Sequence, residues 1–503
     1  MKESKRIIEL DGSIRLGLSI PLFIAAILSL ATGTLVGLLG IWGASAWGKP
    51  VPEWEKLGHA HTAWWSILIM VAAMLMPYAS LKPTAKRLIT IGTFIGPVLW
   101  IGMIASYYEV GGPRIWLFTG EDSVHTYYEL PILGVGASML EVLGFASLLL
   151  VGLSASGLKI PYLYSKPEQS RFDLISEVYV QRKIFLIPTL TISAGVLVGF
   201  ALAGIFKVTH TPIEPAALVQ LHTHPAMIST SAMLILLAMS IFNVSSRVFR
   251  FAYILMLISL PAILVGLILF NLLALHSLVW VVPAGIYYAL LLISIPAIFK
   301  TGRSKGNDNN EEEAKHGAIL GESSSLLLQH ISLIPTIRLA VVICLSVLAI
   351  LVGTGAYIAL AYDTTPYTTV TYKQPEGSPY PGPYPDEYIG TAPVKGTPRG
   401  LENAHLSPGS WFHVAIAWLI ILALFGNRLF ENRVGLLTLL IFTIPMAPLF
   451  NTLGRYLAWL GIPNGIGALW FAGHPLKGFN IVVLFIIGLI SLYVLSKKRS
   501  THR

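Results

Sequence analysis

Long apolar runs separated by shorter polar stretches alternate along almost the whole chain. A helix needs about 20 apolar residues to cross roughly 30 Å of hydrocarbon. Segments of that kind occur at twelve places, near residues 16–44, 61–80, 86–108, 130–155, 184–206, 224–243, 249–271, 276–299, 337–362, 409–426, 433–452 and 478–496. The pattern predicts an all-α integral membrane protein with twelve transmembrane helices.

The composition supports the same class. Apolar residues make up 54% of the 503 residues and charged residues 12%, which excludes an ordinary soluble domain. The single cysteine, Cys344, lies inside the ninth predicted helix, so neither a disulfide framework nor a cysteine-based metal site is expected. The first apolar segment is long enough to span the membrane, which distinguishes it from a cleavable signal sequence.

The basic residues predict the orientation of the helices. Lysine and arginine beside transmembrane helices stay preferentially in the cytoplasm, whereas acidic residues contribute little. If the odd-numbered helices run outward, most lysines and arginines and both termini fall on the cytoplasmic side. The net charge of +9 is therefore a topology signal, and no nucleic-acid partner is expected. The predicted location is the plasma membrane, with many contacts to the lipid bilayer.

Each run of four helices has the same organisation, which predicts a threefold internal repeat. In every run the start of the second helix bears a histidine, and an outer histidine lies between the third and fourth helices. These outer histidines are His125, His276 and His474. The predicted modules are 1–165, 166–300 and 336–503. Residues 301–335 are a polar cytoplasmic linker. Residues 362–408 form an outer loop rich in Tyr and Pro, suited to covering the outer face or receiving a partner.

On this topology ten of the 13 histidines lie on the outer side: His59, His61, His125, His210, His222, His224, His276, His405, His413 and His474. Neutral imidazole is the commonest nitrogen ligand for iron, copper and zinc. Histidine is also well tolerated at the membrane–water interface, at the level of the lipid headgroups, as tryptophan and tyrosine are. The distribution alone is consistent with either role.

Spacing separates the histidines into different candidate sites. Residues two apart on a helix point about 200° away from each other, so His59 and His61 could serve two sites but not chelate one ion. Pro225 is a favoured first helical residue, which predicts that His222 and His224 lie in the first turn of helix six.

Two further histidines, His61 and His413, lie at or just inside spanning segments on different helices. A haem requires such a pair, with its iron between two imidazoles, and Ala415 and Ala417 would leave room for a flat macrocycle. Glu141 is a carboxylate within helix four that must face the interior, be protonated or have a partner. Proton transfer and a neutral acid hydrogen-bonded to Ser138 are both open for it.

These features resemble subunit I of haem-copper oxidases and nitric oxide reductases, which has twelve helices in three arcs of four. His61-Thr62, followed by an aromatic and apolar helix, resembles the start of that family's helix two. Trp411-Phe412-His413 resembles the His-x-His of its helix ten, with Trp411 replacing the first histidine. The resemblance implies that His61 and His413 hold a low-spin b-type haem.

The resemblance also implies a second metal, copper or iron, for which His222, His224 and His276 are the candidates. The chain departs from the family there, because Leu275-His276 has one histidine where two are expected. Ile228 stands where a tyrosine would follow His224. An incomplete binuclear centre is therefore expected.

The function expected from this pattern is a respiratory membrane protein that binds haem b and transfers electrons. Quinol or an external cytochrome or copper protein would be the electron partner, and further membrane subunits are expected. An active but unusual terminal oxidase or nitric oxide reductase is the first alternative. A non-redox transporter, or an accessory protein that handles haem or metal, is the second, although outer-end histidines and few buried charges are not typical of ion-coupled transport.

Overall fold

The computed structural model describes residues 12–36, 53–110, 144–209, 215–273, 275–301, 325–361, 368–373, 387–392, 399–431, 433–460 and 466–497. Over these residues the chain is mostly helical. The helices are α1 (Ile20–Val36), α2 (Glu53–Leu75), α3 (Pro83–Val110), α4 (Gly144–Ala155), α5 (Lys183–Thr209), α6 (Pro215–Ile241), α7 (Ser246–Leu273), α8 (Leu278–Lys300), α9 (Ser325–Ala361), α10 (Arg399–Phe430), α11 (Val434–Trp459) and α12 (Ile466–Lys497).

Each of the twelve predicted segments overlaps one of these helices. Eight of the described helices, α2 and α6 to α12, are long and apolar enough to cross a membrane, and the described parts of α1, α4 and α5 are shorter apolar helices. The predicted α-helical membrane fold is thereby confirmed. The number of twelve crossings, the threefold repeat and the cytoplasmic placement of the termini remain predictions.

Several boundaries differ from those expected. Helix α9 begins at Ser325, inside the segment predicted as a linker, and α10 begins at Arg399, inside the predicted outer loop. That loop also contains an antiparallel hairpin of β3 (Thr368–Lys373) and β4 (Glu387–Ala392). Polar residues can continue a helix beyond the bilayer, so hydropathy marks where a helix crosses rather than where it ends.

Three helices form the centre of the bundle. In the spanning segments of α2 and α10, 83% of the residues are buried, and in that of α6, 67% are buried. The other candidate spans are between 33% and 50% buried. Helix α10 packs against both α2 and α6. The most buried described spans are therefore the second helices of the three predicted modules.

Each predicted module also contacts the next one. Helix α1 packs against α12, and α8 packs against α9. The guanidinium of Arg182, which precedes α5, donates a hydrogen bond to the carbonyl oxygen of Ala155 at the end of α4 (3.3 Å). The last helix of one predicted module thus meets the first helix of another, or the residue directly before it, at all three boundaries.

A small sheet ties the modules together at one end of the bundle. Strand β1 (Ser13–Ser19), directly before α1, pairs antiparallel with β2 (Asp173–Gln181), which precedes α5. Arg428, near the end of α10, donates a hydrogen bond to the carbonyl oxygen of Ile175 in β2 (2.7 Å). Because α2, α6 and α10 all end near this sheet, their first turns lie at the opposite end. We call these the sheet end and the histidine end.

Asp173, the first residue of β2, is a partly buried carboxyl at the sheet end. It accepts a hydrogen bond from the backbone N–H of Ser170 (2.6 Å). Burial raises the pKa of Asp173 to about 6, while the Ser170 bond and nearby Lys86 act in the opposite direction. Burial therefore outweighs both favourable contacts, and the folded protein holds this proton more tightly than the unfolded chain does.

The raised pKa predicts a destabilising charge at neutral pH. The free energy of unfolding should fall as the pH rises from about 4 to about 6, because Asp173 must ionise inside the fold. Asp173→Asn keeps an oxygen acceptor for Ser170 and removes the charge. We expect it to be more stable than the native protein by about 1 kcal/mol at pH 7.5, after allowing for solvent screening, and equally stable near pH 4.

Chemical unfolding of the detergent-purified protein across this pH range measures the difference. Glu431→Gln, which neutralises an exposed carboxyl at the end of α10, is the control and should leave the pH profile unchanged. An Asp173→Asn variant no more stable than the native protein at pH 7.5 would contradict the argument.

Candidate functional site

His61 and His413 lie on the facing surfaces of the two most buried helices. His413, on α10, is 2% exposed, and its ring lies 5.5 Å from that of Trp64 on α2, measured between centroids and tilted by 46°. His61, which is partly exposed, precedes Trp64 by three residues and so shares its face of α2. The structure therefore places the two predicted haem ligands on helices that pack together, with Trp64 and His413 at their contact.

The backbone around His61 is held in place by hydrogen bonds to neighbouring groups. The hydroxyl of Ser29, on α1, donates to the carbonyl oxygen of Thr62 (3.1 Å). The hydroxyl of Ser66 donates to the carbonyl oxygen of Ala63 (2.7 Å). Both serines and Thr62 are fully buried. A ligand on this turn of α2 would thus have a fixed orientation, which is what tight binding of a metal or macrocycle needs.

The three central helices place one histidine each at similar depth. His61, His224 and His413 lie within the first three residues of the spanning segments of α2, α6 and α10. At 1.5 Å per residue, each is about 20 to 25 Å from the end of its helix at the sheet end. The histidine end therefore concentrates imidazole groups around the centre of the bundle.

The donor set between α2 and α10 fits a low-spin haem. Two neutral imidazoles from different helices are the axial ligands that such a haem takes. Ala417, one turn beyond His413 on the same face of α10, is a small and fully buried side chain. The ring of Trp64 lies against His413. Trp64 is therefore the side chain that would stack on a bound macrocycle or move aside for it.

Trp411, at the position that the resemblance implies for the first histidine of a His-x-His, lies on the other side of α10 from His413. The ammonium nitrogen of Lys477, on α12, is 4.3 Å from the centroid of the Trp411 ring. Both residues are only 5% exposed, which is a close cation–π contact in an apolar setting. A buried lysine inside a spanning helix is costly and marks a site of function more often than one of packing.

Lys477 belongs to a polar stripe on α12, which also includes His474 and Asn480 at three-residue spacing. The imidazole Nδ1 of His474 is 3.4 Å from the amide nitrogen of Asn451 on α11. Asn480, 1% exposed, accepts a hydrogen bond from the hydroxyl of Thr443 on α11 (2.6 Å). The stripe therefore fixes α12 against α11 beside the predicted haem ligand of α10.

Sequence reasoning missed Lys477, because the predicted twelfth helix began one residue after it. The charge within a long apolar run was the available signal. Its burial depends on the packing of α10 against α12, which the sequence does not state.

The prediction that His222 and His224 lie in the first turn of helix six was wrong. Helix α6 begins at Pro215 and contains Pro225 in its interior, because neighbouring helices in a membrane can accommodate the freed backbone carbonyl. His224 thus lies on a continuous helix and not in a turn before it. His224 faces α8, where its ring lies 5.7 Å from that of Trp280.

His276, the third candidate ligand of a second metal, is exposed in the loop before α8. Its Nδ1 accepts a hydrogen bond from the backbone N–H of Leu278 (3.2 Å), so the side chain caps the first turn of α8. Among the described residues no group of three or more His, Cys, Asp or Glu could hold a metal ion. The side chains of His59 and His222, and the whole of Glu141, lie outside the part of the chain that the structure describes.

The fold and the site define a multipass α-helical membrane protein whose three most buried described spans each have a histidine within their first three residues. No protein-family model, curated protein or solved structure matches the chain.

Proposed function

We propose that this chain is a membrane electron-transfer protein of respiratory type that binds haem b through His61 and His413. The observation that carries the proposal is the packing of the two most buried spans, which brings the face of α2 that bears His61 and Trp64 onto His413. Haem b supplies one-electron transfer when bound in such a site.

The residues of this chain would position the group and exclude water from it. His61 and His413 would hold the iron from two sides, which leaves no open position for a substrate. The burial of His413 keeps its surroundings apolar, and the Ser29–Thr62 hydrogen bond fixes the turn that carries His61. Lys477 lies on the far side of α10, where it packs against Trp411.

The site also suggests where an electron partner would bind. We infer that all twelve helices cross the plasma membrane in three related modules, with the histidine end outside. The contacts between successive modules and the central position of α2, α6 and α10 support this arrangement. A quinol, or an external cytochrome or copper protein, would then exchange electrons at the histidine end, with further membrane subunits attached.

A second metal, copper or iron, held by His222, His224 and His276, would make the protein an unusual oxidase or nitric oxide reductase. Two contacts favour electron transfer alone. His224 packs against Trp280, and His276 uses its Nδ1 to cap α8. An accessory protein that binds haem without electron transfer would use the same two ligands, and only a redox measurement separates it from an electron carrier.

Visible spectroscopy of the detergent-purified protein tests the proposal. A reduced-minus-oxidised spectrum with sharp low-spin bands, and one b-type haem per chain by the pyridine haemochrome assay, is the expected result. Carbon monoxide should leave the reduced spectrum unchanged, since His61 and His413 would both be bound to the iron, whereas a spectral shift would favour the oxidase. A well-folded protein that contains no haem, although haem was available during expression, would refute the proposal.

A further inference from the structure

We propose that an anionic phospholipid binds at the sheet end, with its phosphate in a cavity between the first turns of α1 and α3. The cavity has a volume of about 620 Å³. Among the residues that line it are Ser19, Lys86, Arg87, Thr90 and Arg171. This site is far from the candidate haem ligands, and the inference does not depend on the proposed function.

Two arginines give the cavity its affinity for phosphate. Arg87 and Arg171 are exposed, and neither forms an ion pair with a carboxylate of the described residues. The guanidinium of Arg171 lies over the ring of Phe172, 4.4 Å from its centroid, which restrains the side chain and leaves its edge available. Guanidinium groups bind phosphate oxygens through pairs of parallel hydrogen bonds.

Lys86 shapes the cavity and is already engaged. Its ammonium group donates hydrogen bonds to the carbonyl oxygens of Glu168 (2.9 Å) and Pro77 (3.3 Å). These bonds tie the loop before β2 to the start of α3. The carboxylates of Glu168 and Asp173 also border the cavity, so the two arginines, which are not tied down in this way, are the groups that favour an anion.

An apolar stripe leads away from the cavity along α3. Leu88, Ile91 and Ile95 are 70%, 53% and 47% exposed, and their spacing of three and four residues places them on one face of the helix. Ile91 also lines the cavity. In a helix of a membrane protein this face contacts lipid, so an acyl chain could follow it while its headgroup occupies the cavity.

The combination matches the chemistry of one ligand. Cations at the start of α3, a helix that the sequence predicts to cross the membrane, are followed immediately by an exposed apolar stripe. This arrangement complements a molecule with an anionic headgroup and apolar tails. A soluble phosphate compound would use the arginines but gain nothing from the stripe. A basic cavity on the predicted cytoplasmic side is also where anionic lipids are available.

Native mass spectrometry with defined lipids tests the site. The protein in detergent is titrated with phosphatidylglycerol, with zwitterionic phosphatidylcholine, and with glycerol 3-phosphate as a headgroup without tails. The native protein should bind phosphatidylglycerol at least about tenfold more tightly than the other two. The double variant Arg87→Gln/Arg171→Gln should lose roughly tenfold or more of that affinity.

The matched control is Arg247→Gln/Arg250→Gln, which removes two exposed arginines from the first turns of α7. It should change the affinity less than about twofold. An equal loss of affinity in the control would show that the effect comes from general surface charge, and it would overturn the proposal. Lack of preference for phosphatidylglycerol, or equally tight binding of glycerol 3-phosphate, would also overturn it. If the double variant does not fold, each single variant should still lose severalfold affinity, and unchanged affinity in both would contradict the site.

Discussion

Replacement of His413 by alanine should abolish the low-spin haem spectrum of the purified protein. The imidazole lies at the contact between α2 and α10, where no other described side chain could take its place as a ligand from α10. His61→Ala should have the same effect, because a low-spin bis-imidazole haem needs both ligands. We expect haem content to fall by about tenfold or more in either variant.

A spectroscopic rescue separates ligation from folding. His413→Gly with added imidazole should regain low-spin bands if the side chain acts as an iron ligand, and should not if it acts only in packing. His276→Ala is the matched control, because His276 is exposed and caps α8, and this variant should keep all of its haem. Low-spin bands that survive in both His61→Ala and His413→Ala would disprove the assignment.

Two glycines of α12 should respond in opposite ways to the same substitution. A Cβ atom on Gly473 would lie 2.5 Å from the amide nitrogen of Asn451 and 2.7 Å from the carbonyl oxygen of Ala447. The carbonyl belongs to the backbone of α11, so the two helices would have to separate. A Cβ on Gly478 meets nothing within 4 Å.

Gly473→Ala should therefore destabilise the protein by about 2 kcal/mol, the usual effect of overpacking. It should also disturb the contact between Asn451 and His474. Gly478→Ala should be neutral or stabilise by up to about 1 kcal/mol, because alanine is the better helix former. Thermal unfolding in detergent compares the variants directly, and equal melting temperatures would show that α11 and α12 are less tightly packed than the structure indicates.

The helices could be predicted from the sequence because the bilayer fixes the length of an apolar span. The β1–β2 sheet could not. Ile14, Leu16 and Leu18 alternate with other residues, which is a strand pattern. However, Leu16 and Leu18 fall within the apolar run of residues 16–44 that predicts the first helix, and Ile14 lies directly before it. Their partner strand is about 160 residues away, and nothing local in the sequence indicates that pairing.

The candidate site was predictable to a similar extent. The resemblance of two short segments to a known family identified His61 and His413 as candidate ligands. In the structure the helices that carry them, α2 and α10, pack against each other. The polar stripe of α12 needed three-dimensional packing, because Lys477 is buried by Trp411 from a helix more than 60 residues earlier. The direction of the His224 side chain could not be predicted either, because Pro225 indicates the start of a helix in the sequence, whereas the helix begins ten residues earlier. Haem itself remains a prediction.

The contact between α1 and α12 has a consequence for synthesis in the cell. Helix α1 leaves the ribosome early, but the helix that covers one of its sides is made hundreds of residues later. Strand β1 likewise has no pairing partner until β2 has been synthesised. During translation these surfaces must be covered by lipid or by the insertion machinery, and the contact between α1 and α12 can form only when α12 has entered the membrane.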